Sequence, residues 1–256
     1  MKIATFNING IRARLPRLVE WLEREQPDVA CLQELKCADE ALPVPDIEAA
    51  GYGAVWHGQK GFNGVAILAR GESPHLRRVG LPGDPDDSHS RYIEAEVNGI
   101  VIASLYLPNG NPVGTDKFPY KLRWMERLRD WARERLDRFE PCAVLGDFNV
   151  CPTDADFPPG GMPPTDALVR PESRARFRAL LHAGMTDALA ALHPGGQAPF
   201  TYWDYGPAFE SNRGLRIDHI LLGPELAERL VECGVDTAAR AEESPSDHAP
   251  VWCELR

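Results

Sequence analysis

What the 256-residue chain lacks already narrows its chemistry. None of its six cysteines forms a C-x-x-C pair, and no cysteine/histidine cluster has zinc spacing, which excludes a zinc finger and a dithiol redox centre. Cys31, Cys142 and Cys253 fall inside apolar, strand-like runs and are expected to be buried, reduced thiols. Long apolar runs are missing too: the longest, residues 100–107, is far too short to span a bilayer. The first residues, Met1-Lys-Ile-Ala-Thr-Phe-Asn7, lack the apolar stretch of a signal peptide, so a cytoplasmic location is expected. An excess of positive charge is absent as well. The 28 Lys and Arg face 38 Asp and Glu, a net charge of −10, which argues against a protein that grips nucleic acid non-specifically over a broad surface. Short internal repeats and low-complexity linkers are lacking, so residues 1–256 are expected to form one domain.

What is present suits a large α/β fold. At 43% hydrophobic and 26% charged, the chain can bury a sizeable core. Residues 2–8, 29–33, 65–69, 92–97, 100–107, 142–145, 216–222 and 251–255 read as strands, and 15–22, 117–138 and 172–183 as helices. Asn98-Gly99 is a hairpin signal between two of these strands, and hairpin pairing excludes an all-parallel sheet. Two mixed sheets packed face to face, with helices outside, fit the pattern. The basic residues of the 117–138 helix read as a solvated face opposite the stripe Leu122, Met125, Leu128, Ala132 and Leu136. Residues 152–164, rich in Pro and Gly, form the longest irregular segment.

Four carboxylates, Glu34, Asp147, Asp218 and Asp247, fall where strands are expected to end. Asn149 lies two residues beyond Asp147, on the same side of an extended segment, and His248 adjoins Asp247. Carboxylates, an amide and a histidine at strand ends are what a hard divalent cation and a phosphate ester require, so the set reads as a metal-dependent phosphodiesterase. Glu34 suits a Mg²⁺ ligand. Asn7 and Asn9 either support the metal or phosphate or serve as turn residues before Gly10. Asp147 is placed to orient or deprotonate water while the Asn149 amide donates to a phosphate oxygen. His248 is a candidate phosphate contact with Asp218 fixing its tautomer. Tyr106 and Asn109, in Tyr106-Leu-Pro-Asn-Gly110, offer a phenol and an amide to phosphate, against an ordinary Pro-Asn-Gly turn. The aromatic segment Thr201-Tyr-Trp-Asp-Tyr205 either stacks on a base or sugar or packs in the core.

Seven segments in order resemble the exonuclease III branch of the endonuclease/exonuclease/phosphatase superfamily, which also holds the major apurinic/apyrimidinic endonucleases. They are Phe6-Asn-Ile-Asn-Gly-Ile-Arg-Ala13, Leu32-Gln-Glu-Leu-Lys36, Gly61-Phe-Asn-Gly-Val-Ala66, Tyr106-Leu-Pro-Asn-Gly110, Gly146-Asp-Phe-Asn149, Gly214-Leu-Arg-Ile-Asp218 and Ser246-Asp-His-Ala-Pro250. Lys117-Phe-Pro-Tyr-Lys121 and Pro152-Thr-Asp154 resemble the same branch. The resemblance implies a four-layer α/β sandwich with two packed mixed β-sheets flanked by helices. It implies a DNA repair phosphodiesterase that cuts 5′ to abasic sites and trims 3′ ends to leave 3′-hydroxyls. It implies Mg²⁺, with Mn²⁺ as the alternative ion, held by Glu34 with Asn7 nearby and Asp247 auxiliary. Asp147, His248 with Asp218, Tyr106 and Asn149 then carry the chemistry. Tyr202, Leu215 and Ile217 fall where the family builds an apolar pocket for a base-less sugar, which would exclude a normal nucleotide. Some relatives carry a large aromatic where Leu215 stands, so this pocket wall has a different shape.

The expected partner is double-stranded DNA with abasic sites or 3′ ends, bound by a monomer. With the acidic net charge, binding should be weak, salt-sensitive and held by a local basic rim for which Arg12, Arg91 and Arg213 are candidates. Two other readings compete. One is a phosphatase of the same superfamily acting on inositol phosphates or sphingolipids, against which the Gly214 to Asp218 and Thr201 to Tyr205 segments argue. The other is a non-catalytic translational regulator, which should have lost catalytic side chains that this chain retains.

Overall fold

The computed structural model describes residues 1–196 and 198–256. Its first half runs β1 (Lys2–Asn7), α1 (Leu15–Glu25), β2 (Val29–Gln33), α2 (Val44–Ala49), β3 (Tyr52–His57), β4 (Val65–Arg70), β5 (His75–Val79), β6 (Tyr92–Val97) and β7 (Ile100–Tyr106). The second half runs α3 (Lys117–Asp137), β8 (Cys142–Asp147), α4 (Pro171–His182), β9 (Thr186–Asp187), α5 (Ala188–Leu192), β10 (Asp218–Leu222), α6 (Pro224–Glu228), β11 (Leu230–Val235), α7 (Thr237–Ala241) and β12 (Val251–Leu255).

The strands form two six-stranded sheets, ordered β11-β12-β1-β2-β4-β3 and β5-β6-β7-β8-β10-β9. Both are mixed: β1/β2 and β7/β8 are parallel, and the other pairs are antiparallel. Alternating side chains decide the layers, because each strand points successive residues to opposite faces. Ile3, Val29, Cys31 and Ile67 of the first sheet interdigitate with Ile93, Ile102, Leu145 and Ile220 of the second. The opposite face of the second sheet packs on Trp124, Leu128 and Trp131 of α3 and Phe177 of α4. The opposite face of the first packs on Leu18, Trp21 and Leu22 of α1 and Ile47 of α2. The result is the expected four-layer sandwich. All six cysteines are buried, and among the described residues no helix is long and apolar enough to cross a membrane.

A few details depart from the sequence reading. β10 begins later than residue 216, at Asp218, and Leu215 before it exchanges main-chain hydrogen bonds with Tyr202 instead. The basic side chains of α3 are not all solvated: Lys121 and Arg135 are buried, Arg135 against Glu94 at 2.9 Å. Asp218 and Asp247 do not close strands. Asp218 opens β10, and Asp247 lies just before β12.

Gly146 explains one motif residue. A Cβ there would lie 1.9 Å from the main-chain oxygen of Leu105 on the adjacent parallel strand, contact that no side-chain motion relieves. Gly146→Ala is therefore expected to destabilise the fold by about 1–3 kcal/mol or more through forced separation of β7 and β8, read as a lower urea midpoint.

Candidate active site

The topology gathers the site. Parallel β1 and β2 leave Asn7 opposite Gln33, so Asn7 and Glu34 emerge at one rim. Parallel β7 and β8 put Tyr106 opposite Asp147. Antiparallel β10 starts where β8 stops, with Asp218 paired to Asp147. β12 runs antiparallel to β1, with Val251 opposite Thr5, so the preceding Asp247 and His248 reach the same rim. Six segments distant in sequence thus converge at the end of both sheets.

Several residues there take left-handed backbone conformations. Asn9, Glu34 and Asn149 have φ of 47°, 52° and 48°. Asparagine tolerates this region, but for glutamate it costs energy and persists only when its surroundings fix it. Here Gly10 N–H donates to Glu34 O at 2.7 Å, and Leu35 N–H donates to Gly64 O at 3.2 Å. Gly64, at φ +93°, is confined to glycine because a Cβ would sit 2.8 Å from Leu35 Cβ.

Asn7 joins the two sheets chemically. Its Nδ2 donates at 3.0 Å to Glu34 Oε1 and at 3.0 Å to Asp147 Oδ2. Its Oδ1 accepts from Asn9 N–H at 3.1 Å. The amide therefore holds the two carboxylates in register. Asn9 donates onward to Asp247 Oδ1 at 2.9 Å and to the Tyr205 hydroxyl at 3.0 Å.

His248 sits between two acids. Its Nδ1 is 2.8 Å from Asp218 Oδ2, and its Nε2 is 3.7 Å from Asp147 Oδ2. Thr201, which nothing in the sequence singled out for this role, organises Asp218. Its hydroxyl donates to Asp218 Oδ2 at 2.7 Å and accepts main-chain N–H of Ile217 and Asp218 at 3.1 Å each. Burial opposes the charged imidazolium, but Asp218, Asp147 and Asp247 outweigh it and raise the His248 pKa. Burial raises the Asp147 pKa against the pull of His248, with Asp218 and Glu34 adding to the rise. Burial also tends to raise Glu34, but hydrogen bonds from Lys36 and Asn7 bring it below the ordinary value. The Tyr106 phenol is raised by burial and by Glu34 and Asp147, so it stays protonated and able to donate.

The side-chain amides of Asn109 and Asn149, both lining the cleft, form a linked pair. Asn109 Nδ2 donates to Asn149 Oδ1 at 3.0 Å, and Asn149 Nδ2 donates to Leu107 O at 2.9 Å. Each NH₂ keeps one N–H free of these bonds. Lys121 braces both loops from behind: its Nζ donates to Asn109 O at 3.0 Å and to Asn149 O at 2.5 Å. Burial pulls the Lys121 pKa down to about 7. Lys121→Met would leave two carbonyls without their donor. It is expected to lower stability by about 1–3 kcal/mol and kcat by roughly tenfold through misplacement of the amide pair. Thermal melts alongside steady-state turnover check both.

Donor atoms of Glu34, Asp147 and His248 lie within 4.8 Å of one another. The donor chemistry fits a hard divalent cation on the carboxylate oxygens of Glu34 and Asp147. A charged His248 cannot ligate it, because a metal requires an imidazole lone pair. Lys36 Nζ, 2.8 Å from Glu34 Oε2, occupies the position a cation on that oxygen would take over. Asp247 lines the same cleft but stands outside the close group.

The catalytic cleft encloses about 320 Å³, and Tyr106, Asn109, Tyr202, Leu215 and Ile217 line it with the acids. Tyr202 packs its ring 4.9 Å from His248. Arg213 is exposed and lines an adjoining cavity rather than this cleft. Of the expected basic rim, Arg12 and Arg213 are exposed. Arg91 is half-buried, lies 4.9 Å over the Tyr106 ring and donates to Tyr106 O at 3.2 Å, so it supports the phenol.

The chain belongs to the Endonuclease/Exonuclease/phosphatase family, whose model matches residues 4–248. It is 39% identical over 268 aligned positions to exodeoxyribonuclease III of Haemophilus influenzae, covering 100% of both chains. Among solved structures, it resembles the Neisseria 3′ phosphatase NExo bound to a product DNA hairpin, with TM-score 0.95 and 39% identity over 100% of this chain and 99% of that one. It also resembles an AP endonuclease from Archaeoglobus fulgidus, with TM-score 0.93 and 36% identity over 100% of this chain and 99% of that one.

Proposed function

We propose that this DNA repair nuclease cleaves the backbone 5′ to abasic sites and removes nucleotides or blocking groups from 3′ ends, leaving 3′-hydroxyls. It acts on double-stranded DNA as a monomer, with residues 1–256 working as one catalytic domain in the cytoplasm and Mg²⁺ as the cofactor, or Mn²⁺ in its place. The observation that carries this reading is the convergence of Glu34, Asp147, Asp218 and His248 on one rim, joined by Asn7, next to an apolar wall of Tyr202, Leu215 and Ile217.

Each group has a task in this reading. Glu34 and Asp147 offer oxygens for the cation, with Asn7 fixing their separation and Asp247 auxiliary. Bound Mg²⁺ supplies positive charge that stabilises the phosphoryl oxygens. Asp147, buried at the centre of the site, accepts the proton of the attacking water. His248, kept charged by Asp218, donates Nε2–H to a phosphate oxygen, where fixed donors act most strongly in a partly dehydrated site. Tyr106, Asn149 and Asn109 add donors to the same group. The apolar wall receives the sugar that has lost its base, while exposed Arg12 and Arg213 attract the strand.

A labelled duplex carrying one tetrahydrofuran abasic analogue tests the proposal, incubated with Mg²⁺, Mn²⁺ or EDTA and resolved on a gel. A metal-dependent cut immediately 5′ to the analogue, or shortening from the 3′ end, is expected. No cleavage with either ion would overturn the reading.

A further inference from the structure

Tyr205 has no part in the reaction proposed above, yet every hydrogen-bonding position of its hydroxyl is taken. The oxygen accepts from Asn9 Nδ2 and from Arg14 Nη2, each at 3.0 Å, and donates to Pro245 O at 3.3 Å. These bonds use its one proton and both lone pairs. The ring, 46% exposed, lies 5.5 Å from the guanidinium of Arg240, which is itself buried and donates to Trp203 O at 3.2 Å. A surface aromatic is thus fixed both at its ring and at its hydroxyl.

Arg14 completes the arrangement. It stands at the start of α1, where Leu18 N–H donates to Arg14 O at 2.9 Å and fixes its main chain. Its guanidinium reaches three loops: Nη1 donates to Asn9 O, Nη2 to the Tyr205 hydroxyl and Nε to Pro245 O at 3.1 Å. Those loops carry Asn7, Tyr202 and Asp247, and a rigid planar fork holds them as a flexible ammonium cannot. The residue on which Tyr205 and Arg14 act together is Asn9. Its Nδ2 divides two hydrogens between the Tyr205 hydroxyl and Asp247 Oδ1 at 2.9 Å, and its Oδ1 accepts from Lys36 Nζ. Lys36 in turn lies 2.8 Å from Glu34 Oε2. Asn9 therefore stands between Asp247 and the ammonium beside Glu34.

Resting on the assignment of Glu34 and Asp247 to the divalent cation, we propose that Tyr205 and Arg14 are positioning residues for the metal end of the site. The phenol, clamped by Arg14, holds the Asn9 amide in the one orientation that donates to Asp247 and accepts from Lys36. Asp247 and Lys36 thereby keep their places relative to Glu34. Neither Tyr205 nor Arg14 touches the cation or the phosphate in this arrangement. Groups that orient metal ligands through hydrogen bonds change metal affinity by about 10- to 100-fold when removed. Tyr205 acts one bond further out, through Asn9, which places its effect at the lower end. The same contacts offer two other roles, an anchor for the 201–209 loop and a stacking face for DNA, and each leaves the affinity for the cation unchanged.

The test measures Mn²⁺ binding to the intact, DNA-free protein from the electron paramagnetic resonance signal of the free ion. Tyr205→Phe removes only the hydroxyl and keeps the ring on Arg240. Arg14→Lys keeps the charge and loses the fork. Each is expected to raise the Mn²⁺ dissociation constant by about tenfold. The double variant should raise it by clearly less than the roughly 100-fold product, because both act through the same bonds. Affinity of Tyr205→Phe for a tetrahydrofuran duplex in EDTA should stay within about threefold of the unsubstituted protein, since the stacking face is kept. A Mn²⁺ dissociation constant of Tyr205→Phe within about twofold of the unsubstituted value would overturn the proposal. Joined to a lower melting temperature, that result would make Tyr205 a loop anchor, and joined to weaker duplex binding in EDTA, a DNA contact. If Arg14→Lys does not fold, Tyr205→Phe decides alone. No Mn²⁺ bound by the unsubstituted protein would instead refute the metal site on which the proposal rests.

Discussion

Asp147→Asn is expected to lower kcat by about 10³-fold while DNA affinity stays within about threefold of the unsubstituted protein. Asp147 is 2% exposed and closes β8 at the centre of the site. Its Oδ1 accepts Asn149 N–H at 2.9 Å, and its Oδ2 accepts from Asn7 at 3.0 Å. An asparagine side chain is nearly isosteric and keeps the bond to Asn149, so the strand end and the apolar wall remain in place for DNA. It cannot accept a proton, however, and it turns an anionic oxygen ligand into a weaker neutral one. The expected result is therefore a fall in the chemical step with little change in binding. Single-turnover cleavage and fluorescence anisotropy on the same abasic duplex separate the two. Turnover within tenfold of normal would remove Asp147 from the proton-accepting role.

The sequence disclosed the interior of this fold better than its borders. β12, β1, β2 and β4 in one sheet and β6, β7, β8 and β10 in the other are interior strands; most read as apolar runs because both faces are covered, while β6, Tyr92-Ile-Glu-Ala-Glu-Val97, alternates apolar and acidic residues. The strands that escape the pattern, β11, β3, β5 and β9, are the four sheet edges. β5 shows why: His75-Leu-Arg-Arg-Val79 is exposed throughout, so no core imposes alternation on it. Among site residues, Glu34, Asp147, Asp218 and His248 were legible because charge at a strand terminus stands out against an apolar run. Thr201 and Lys121 were not. Their roles depend on contacts with Asp218 and with the Asn109 and Asn149 carbonyls, partners 12 or more residues away that only the assembled sheets bring near. Asn7 was legible as a site residue, but its link from Glu34 to Asp147 crosses between sheets and has no local signature.

Asp218→Asn is the second substitution expected to act strongly, lowering kcat by about 10²- to 10³-fold and moving the alkaline limb of the kcat–pH profile to lower pH. Asp218 Oδ2 is shared between His248 Nδ1 at 2.8 Å and the Thr201 hydroxyl at 2.7 Å, while Oδ1 is buried without a partner. Whichever way the new amide turns, a contact is lost. With its oxygen toward His248, the NH₂ is buried with no acceptor. With its NH₂ toward His248, the imidazole must present a lone pair at Nδ1 and cannot be the charged donor. The direction of the pH effect follows from the cause of the shift. Burial disfavours the imidazolium, and Asp218 is the largest of the opposing influences that raise the pKa of His248 to about 10. A group whose pKa is raised keeps its proton to higher pH and loses it as pH rises through that value. Removing the Asp218 charge lets burial prevail, so the proton that His248 gives to the phosphate contact is lost at lower pH. An Asp218→Asn enzyme that lost turnover with an unmoved alkaline limb would show that Asp218 acts by holding Thr201 and the Ile217 loop. A limb displaced toward neutrality would show that it acts through the charge on His248.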